Sequence, residues 1–265
     1  MGVMNIAKGA VMNRKAFRTY TKAMEAGGKD QPEEAKALYQ TALKEYGEAV
    51  ELGFRAPNTL LSYALLLMRE GEFEKAKEYM LEINRQPKLP DDNRFQLRVN
   101  YSVYLWKTGR LDEAIATIRR AADMKMNGTI FSMLGMYLME KARQTGDFDE
   151  ALAFNRQAMD YDDEDGEVLD NMAQLCESMS EYAGNRGEEE QAAEYRDQAK
   201  GYYEKAHAAR PRQITSIYYL ARLYLQDGQR DKAVKLLSGT DKLYYTAICP
   251  ISRQMMEALK AQAAC

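Results

Sequence analysis

Apolar residues along this chain recur with the 3.6-residue period of a helix, and the helical stretches come in pairs. Residues 58–87 show the pattern most plainly. Leu60, Tyr63, Ala64 and Leu67 share one helical face, Gly71 supplies a turn, and Ala76, Met80 and Ile83 share the face of a second helix. Ala64 precedes Ala76 by 12 residues, and the same offset separates Ser102 from Ala114 and Ala221 from Ala233. Small residues at a fixed offset on two successive helices predict hairpins whose backbones approach closely there. No run of alternating β-branched residues reads as a strand.

Two pairs are predicted to be longer. Ala16 to Ala42 and Ala173 to Ala199 are each 26 residues apart. The excess over the short frame is about two helical turns per helix, which keeps the packed faces in register. Gly135 to Ala151 is 16 residues, one turn more than the short frame. Breakers fall between the pairs: residues 27–32 with Pro32, 85–94 with two prolines, 127–129, the acidic stretch 160–167, and 184–187. Residues 243–249 are ambiguous by pattern. A last helix over 251–263, preceded by Pro250, is expected to cap the array.

Ala42 to Ala76 and Ala199 to Ala233 are both 34 residues, a period that means stacked repeats. The order small residue, turn glycine, alanine, large residue appears as Ala64, Gly71, Ala76, Met80 and Ile83. It appears again as Ser102, Gly109, Ala114, Ile118 and Ala121, and as Ala221, Gly228, Ala233 and Leu237, with a closing Pro211. This resembles the tetratricopeptide repeat family, with divergent repeats: Leu60, Arg98 and Ile217 stand where that family has tryptophan. The resemblance implies an all-α, right-handed superhelical solenoid of about six helix–turn–helix pairs. The repeats are expected near residues 6–54, 57–87, 95–126, 128–162, 166–211 and 214–240, with a cap at 250–264, as one domain over 1–265.

In arrays of that family the first helix of each pair lines a concave groove. The resemblance therefore implies a partner-binding face at Phe17 and Tyr20, then Leu61, Leu65 and Met68, then Val99, Val103 and Trp106. Ser132, Met136 and Met139 continue it, followed by an acidic end at Asp170, Gln174 and Glu177, and by Tyr218 and Arg222. Methionine suits adaptable apolar contacts. The competing expectation is that these side chains are core between helices, or are covered by the chain itself. Some relatives clamp a peptide carboxylate with Lys, Asn and Arg; Leu61, Leu65, Val99 and Val103 at the comparable positions depart from that pattern.

Composition narrows the chemistry. Net charge is −3, so no global basic field invites nucleic acid. There are three cysteines, Cys176, Cys249 and Cys265, an odd number that argues for free thiols and a reducing, cytoplasmic setting. A single histidine, His207, leaves little scope for histidine catalysis or a histidine-rich metal site, and a surface position at a helix end is expected for it. Cys176, mid-helix, reads as a buried structural thiol. The acidic stretch misses the calcium-loop frame, because Gly166 falls one place late and Asn171 stands where glutamate is needed. No phosphate-cradling glycine loop, HExxH or GxSxG occurs. The expected function is a non-catalytic protein–protein interaction scaffold that binds a peptide or helical segment of an unidentified partner, with no cofactor and no metal. The alternative is a structural subunit that assembles with itself. That alternative allows a membrane tether through the first helix, whose Lys8, Arg14, Lys15, Arg18 and Lys22 could serve a membrane surface.

Overall fold

The structure is a computed structural model that describes residues 3–29 and 31–264. Asp30, in the first expected turn, and the thiol of Cys265 lie outside the described residues. Among these there are thirteen α-helices and no strand. By packing the chain falls into two compact units.

Unit 1 contains residues Met1–Gly109 and Lys242–Cys249. Its helices are α1 (Val3–Gly28), α2 (Pro32–Glu51), α3 (Pro57–Arg69), α4 (Phe73–Asn84) and α5 (Asp91–Lys107). The α1–α2 pair is the long one, with helices of 26 and 20 residues against 13 and 12 for α3 and α4. Its seam is built from small residues seven apart: Ala16 and Ala23 on α1, Ala42 and Ala49 on α2, all completely buried. Gly9 continues that row. A Cβ there would sit 2.8 Å from the Cβ of Phe54 and 3.0 Å from the Ala49 carbonyl oxygen. Lys15 Nζ bridges to the buried Glu45 carboxylate at 3.0 Å across the same pair. In the short pair, Ala64 and Ala76 are both completely buried. Gly71 turns the chain between them at φ +87°, a left-handed conformation that glycine adopts without strain.

Unit 2 contains residues Arg110–Asp241 and Pro250–Cys265. Its helices are α6 (Leu111–Ala122), α7 (Gly128–Thr145), α8 (Asp149–Tyr161), α9 (Gly166–Asn185), α10 (Glu189–Ala209), α11 (Ile214–Gln226), α12 (Arg230–Leu237) and α13 (Arg253–Ala264). The second long pair is α9–α10, of 20 and 21 residues. Nine consecutive residues of α9, 171–179, are buried, so this helix is the axis of the unit. Ala173, Cys176, Ala199, Tyr203, Leu220 and Leu223 form one core cluster around it. The α7–α8 pair is closed by Asn155, which is fully buried and donates to the carbonyls of Gly135 and Ala151 at 3.3 and 2.9 Å. Asp165 caps α9 by accepting from the amides of Glu167 and Val168. Arg210 ties the acidic stretch down through Asp165 and Glu167, at 2.9 and 2.7 Å. The cap α13 packs on α11 and α12, and Arg230 donates to the Ala263 carbonyl at 2.7 Å. It begins at Arg253; the preceding Ile251 is buried as an irregular anchor.

Ala76→Leu should overpack the α3–α4 crossing and lower the stability of unit 1 by about 1–3 kcal/mol. Urea denaturation followed by circular dichroism measures this, and an unchanged midpoint would refute the crossing.

Candidate functional site

Helices α1, α3 and α5 present one continuous face in unit 1. Its first half is an open cavity of about 540 Å³. α1 contributes Asn13, Phe17 and Tyr20, α3 contributes Asn58, Thr59, Leu61, Ser62 and Leu65, and α5 contributes Asp92, Asn93, Gln96 and Asn100, with Tyr46 of α2 behind. The polar residues recur at helical spacing on α5, which keeps them on one side. They are linked to one another. Thr59 donates to Asn13 at 2.8 Å, Asn93 donates to Asn58, Gln96 donates to Asn100 at 2.9 Å, and Asn100 donates to the Leu61 carbonyl at 3.2 Å. Each bond holds an amide in a set orientation. Phe17 lies at the rim and is 61% exposed, an unusual position for a large apolar ring.

The second half of the same face runs along α3 through Leu65 to Arg69 and along α5 to Lys107. It is occupied by the chain itself. The ring of Tyr244 stacks on Tyr39 with centroids 5.9 Å apart, and Tyr39 in turn meets Tyr20 edge-on at 5.7 Å. The Arg69 guanidinium lies 4.0 Å from the Tyr39 ring centre and 5.3 Å from that of Tyr244. Tyr244 donates its hydroxyl to Glu70 at 2.9 Å. Burial and the Glu70 carboxylate push its phenol up to about 12.

Unit 2 contains a buried polar network instead of an open face. Glu177 accepts from the Tyr203 hydroxyl at 2.9 Å and pairs with Arg222 at 2.6 Å. Gln174 donates to Asp170 at 2.9 Å, and Arg143 donates to Ser178 at 2.7 Å. Asp170 is buried, and that burial raises its pKa to about 7 against hydrogen bonds from Thr215, Gln174 and Gln213. A separate cavity of about 510 Å³ lies between α8, α9 and α10, where Met159, Met172, Met179 and Cys176 contribute sulfur to its wall. Burial raises the Cys176 thiol to about 11, away from nucleophilic use. His207, expected at the surface, is half-buried, and burial lowers its pKa.

Of the residues singled out from sequence, Phe17, Tyr20, Leu61 and Leu65 come together at the open cavity. Met68, Val99 and Met139 are buried, while Val103, Trp106 and Met136 are half-buried. Lys107 lies over the Trp106 ring at 4.4 Å. Asp170, Gln174 and Glu177 are closed within the network of unit 2, and Tyr218 and Arg222 are half-buried. The amides Asn13, Asn58, Asn93, Gln96 and Asn100 were not anticipated. Their signal was available in Asn93, Gln96 and Asn100, three amides at offsets of three and four on one helix. Among the described residues no helix is long and apolar enough to cross a membrane.

Residues 95–125 match the tetratricopeptide repeat family. No curated protein matches the chain in sequence. Among solved structures, a monomeric mutant of IFIT1 with Gppp-AAAA superposes with a TM-score of 0.61 at 18% identity, over 84% of this chain and 49% of the other. The human IFIT1 dimer with m7Gppp-AAAA gives 0.60 at 19% identity, over 77% and 46%. The chain thus spans about half the length of these structures. The Pseudomonas aeruginosa protein PilF is similar over 94% of this chain and 98% of its own, at 16% identity and a TM-score of 0.47.

The native state of unit 2 holds a proton on Asp170 more tightly than the unfolded chain, whose reference value is 3.8. Stability should therefore decline as pH rises from about 4 through about 7, the full linkage amounting to roughly 4 kcal/mol once the pH is above both values. Asp170→Asn should flatten the decline. Urea midpoints of both proteins between pH 4 and 8 test this, and parallel curves would refute it.

Proposed function

We propose that this chain, which folds as tetratricopeptide repeat proteins do, is a non-catalytic scaffold that takes a peptide segment of a partner protein along the α1–α3–α5 face of unit 1. The observation that carries the reading is the amide-lined cavity with an exposed phenylalanine at its rim. A peptide brings unpaired backbone N–H and C=O groups, which lose water on docking and need partners. Asn and Gln side chains offer both a donor and an acceptor on one group, so the exposed Asn58 and Gln96, held in place by the buried Asn93 and Asn100, can serve a backbone whatever its sequence. Phe17 supplies the apolar contact. Covering its ring with a partner side chain is worth about 1.5–3 kcal/mol.

A second reading takes an oligonucleotide as ligand. It draws on the exposed Lys8, Arg14, Lys15, Arg18 and Lys22 of α1 beside the aromatic rim, and on the capped oligonucleotide in the IFIT1 structure. The peptide reading is preferred because the cavity offers amides and the Asp92 carboxylate, and no cationic side chain.

Selection of displayed random peptides on the immobilised protein, followed by titration of the enriched sequences, tests the proposal. Phe17→Ala and Gln96→Ala should each weaken those peptides, together by at least ~10-fold, with the helical circular dichroism signal intact. Failure to enrich any peptide, or affinities indifferent to both substitutions, would refute it. Tighter binding of a 5′-triphosphorylated oligoadenylate, lost with Arg14→Ala and Arg18→Ala, would transfer the site to the second reading.

A further inference from the structure

The far half of the unit 1 face already holds a stretch of polypeptide, and the contacts describe what it selects. After a single 3-10 turn at Thr240–Lys242, residues 243–249 form neither helix nor strand. The Ala247 amide donates to the Arg69 carbonyl at 2.8 Å. Lys107 Nζ donates to the Cys249 carbonyl at 3.0 Å. These two bonds engage backbone, which any peptide supplies. One side chain is engaged as well: the Tyr244 ring lies against Tyr39 and Arg69, and its hydroxyl reaches Glu70. The groups that receive the segment all belong to α2, to α3 and the residue after it, or to α5. Arg69 stands four residues beyond Leu65 on α3, and Lys107 seven beyond Asn100 on α5, so the seat continues the open cavity along the same helices.

The segment is also built to leave. Gly239, at φ +81°, precedes it and Pro250 follows it. Tyr244, Tyr245, Thr246, Ile248 and Cys249 are only half-buried, and Leu243 alone is well covered. A stretch without regular structure and mostly half-buried belongs to the low end of local stability.

We propose that this seat is an exchangeable binding site for a short non-helical peptide of a partner protein, one that presents a tyrosine and a free backbone N–H three residues later. Lys242–Cys249 is then its resident occupant, displaced when such a partner arrives. The proposal rests on reading unit 1 as a peptide-binding face, and it adds the ligand class and a mode of regulation. Phenylalanine in place of tyrosine leaves Glu70 without its donor, and proline at the third position removes the N–H that Arg69 accepts. The resident lowers the apparent affinity for partners by the fraction of time it stays docked.

The test uses a labelled synthetic peptide with the sequence of residues 242–249, carrying serine for Cys249, titrated by fluorescence anisotropy into the full chain. Ala247→Pro and, separately, Tyr244→Ala weaken the resident and should each raise peptide affinity at least ~10-fold over the parent protein. Arg69→Ala added to either should abolish the gain. A peptide with phenylalanine for Tyr244 should bind at least ~5-fold more weakly. Opened variants that bind no better than the parent, or binding indifferent to Arg69→Ala, would overturn the proposal. Should Tyr244→Ala unfold the chain by circular dichroism, Ala247→Pro decides. If both unfold it, the segment is a structural tie and the proposal fails. A dimer of the opened variants that the peptide does not dissolve would give the seat to a second copy of the chain and overturn the partner reading. The displayed-peptide selection, read with Gln96→Ala and Phe17→Ala, bears on the open cavity, and the titrations of the opened variants with Arg69→Ala bear on the seat, so the two readings fail separately.

Discussion

Buried alanines set the distance between paired helices, and the sites in both units depend on that distance. Ala16 and Ala42, Ala64 and Ala76, Ala173 and Ala199, and Ala221 and Ala233 are all completely buried. A methyl group on each side lets two backbones come close. It also aims the neighbouring positions outward in a fixed direction, because side chains three and four apart share a face. In unit 1 that direction carries Asn13, Phe17 and Tyr20 on α1, and Asn93, Gln96 and Asn100 on α5, into one cavity. A larger residue at the Ala16–Ala42 or Ala64–Ala76 crossing would shift the helices that carry these amides and disturb their mutual bonds.

The two units handle polar groups on their first helices in opposite ways. In unit 1 Asn93 and Asn100 are buried and bonded to their neighbours, while Asn58 and Gln96 stand exposed at a surface that remains open, so the remaining capacity of those two faces water. In unit 2, α9 is buried along most of its length, and Glu177 and Ser178 are bonded internally to Tyr203, Arg222 and Arg143, whereas Asp170 keeps one buried oxygen without a partner. Burying a charge costs far more than burying an amide. Glu177 offsets that cost with a cation and a phenol, whereas Asp170 does so by holding its proton to about pH 7.

The segment Lys242–Cys249 is the least regular part of unit 1, yet it makes some of its most specific contacts. Tyr39, Arg69 and Tyr244 form a stack whose outermost member comes from a stretch with no helical hydrogen-bond ladder of its own. Its backbone groups are therefore free to bond elsewhere, and two of them do so, at Arg69 and Lys107. A helix could not have offered those groups. The seat thus reads backbone and one aromatic side chain together.

Helix number and length were legible in the amino-acid sequence, as was pairing within each unit, because each depends on local periodicity and on breakers. The offset of 12 between small residues marked the short pairs, the offset of 26 marked α1–α2 and α9–α10, and glycines marked the turns. Half of the open cavity was legible too, through Phe17, Tyr20, Leu61 and Leu65. Its amides carry no hydrophobic period, so the pattern of apolar positions does not mark them. The sequence could not distinguish Asp170, Gln174 and Glu177 on a solvated face from the same residues in a closed network. That difference depends on how deeply α9 is enclosed by α10, its own hairpin partner, and by α7 and α11 from the neighbouring pairs, which periodicity along one helix does not encode. Nor did any period mark residues 243–249, since an irregular segment has none. Their place beside Tyr39 and Arg69 follows from contacts nearly two hundred residues apart along the chain, which only the folded structure can bring together.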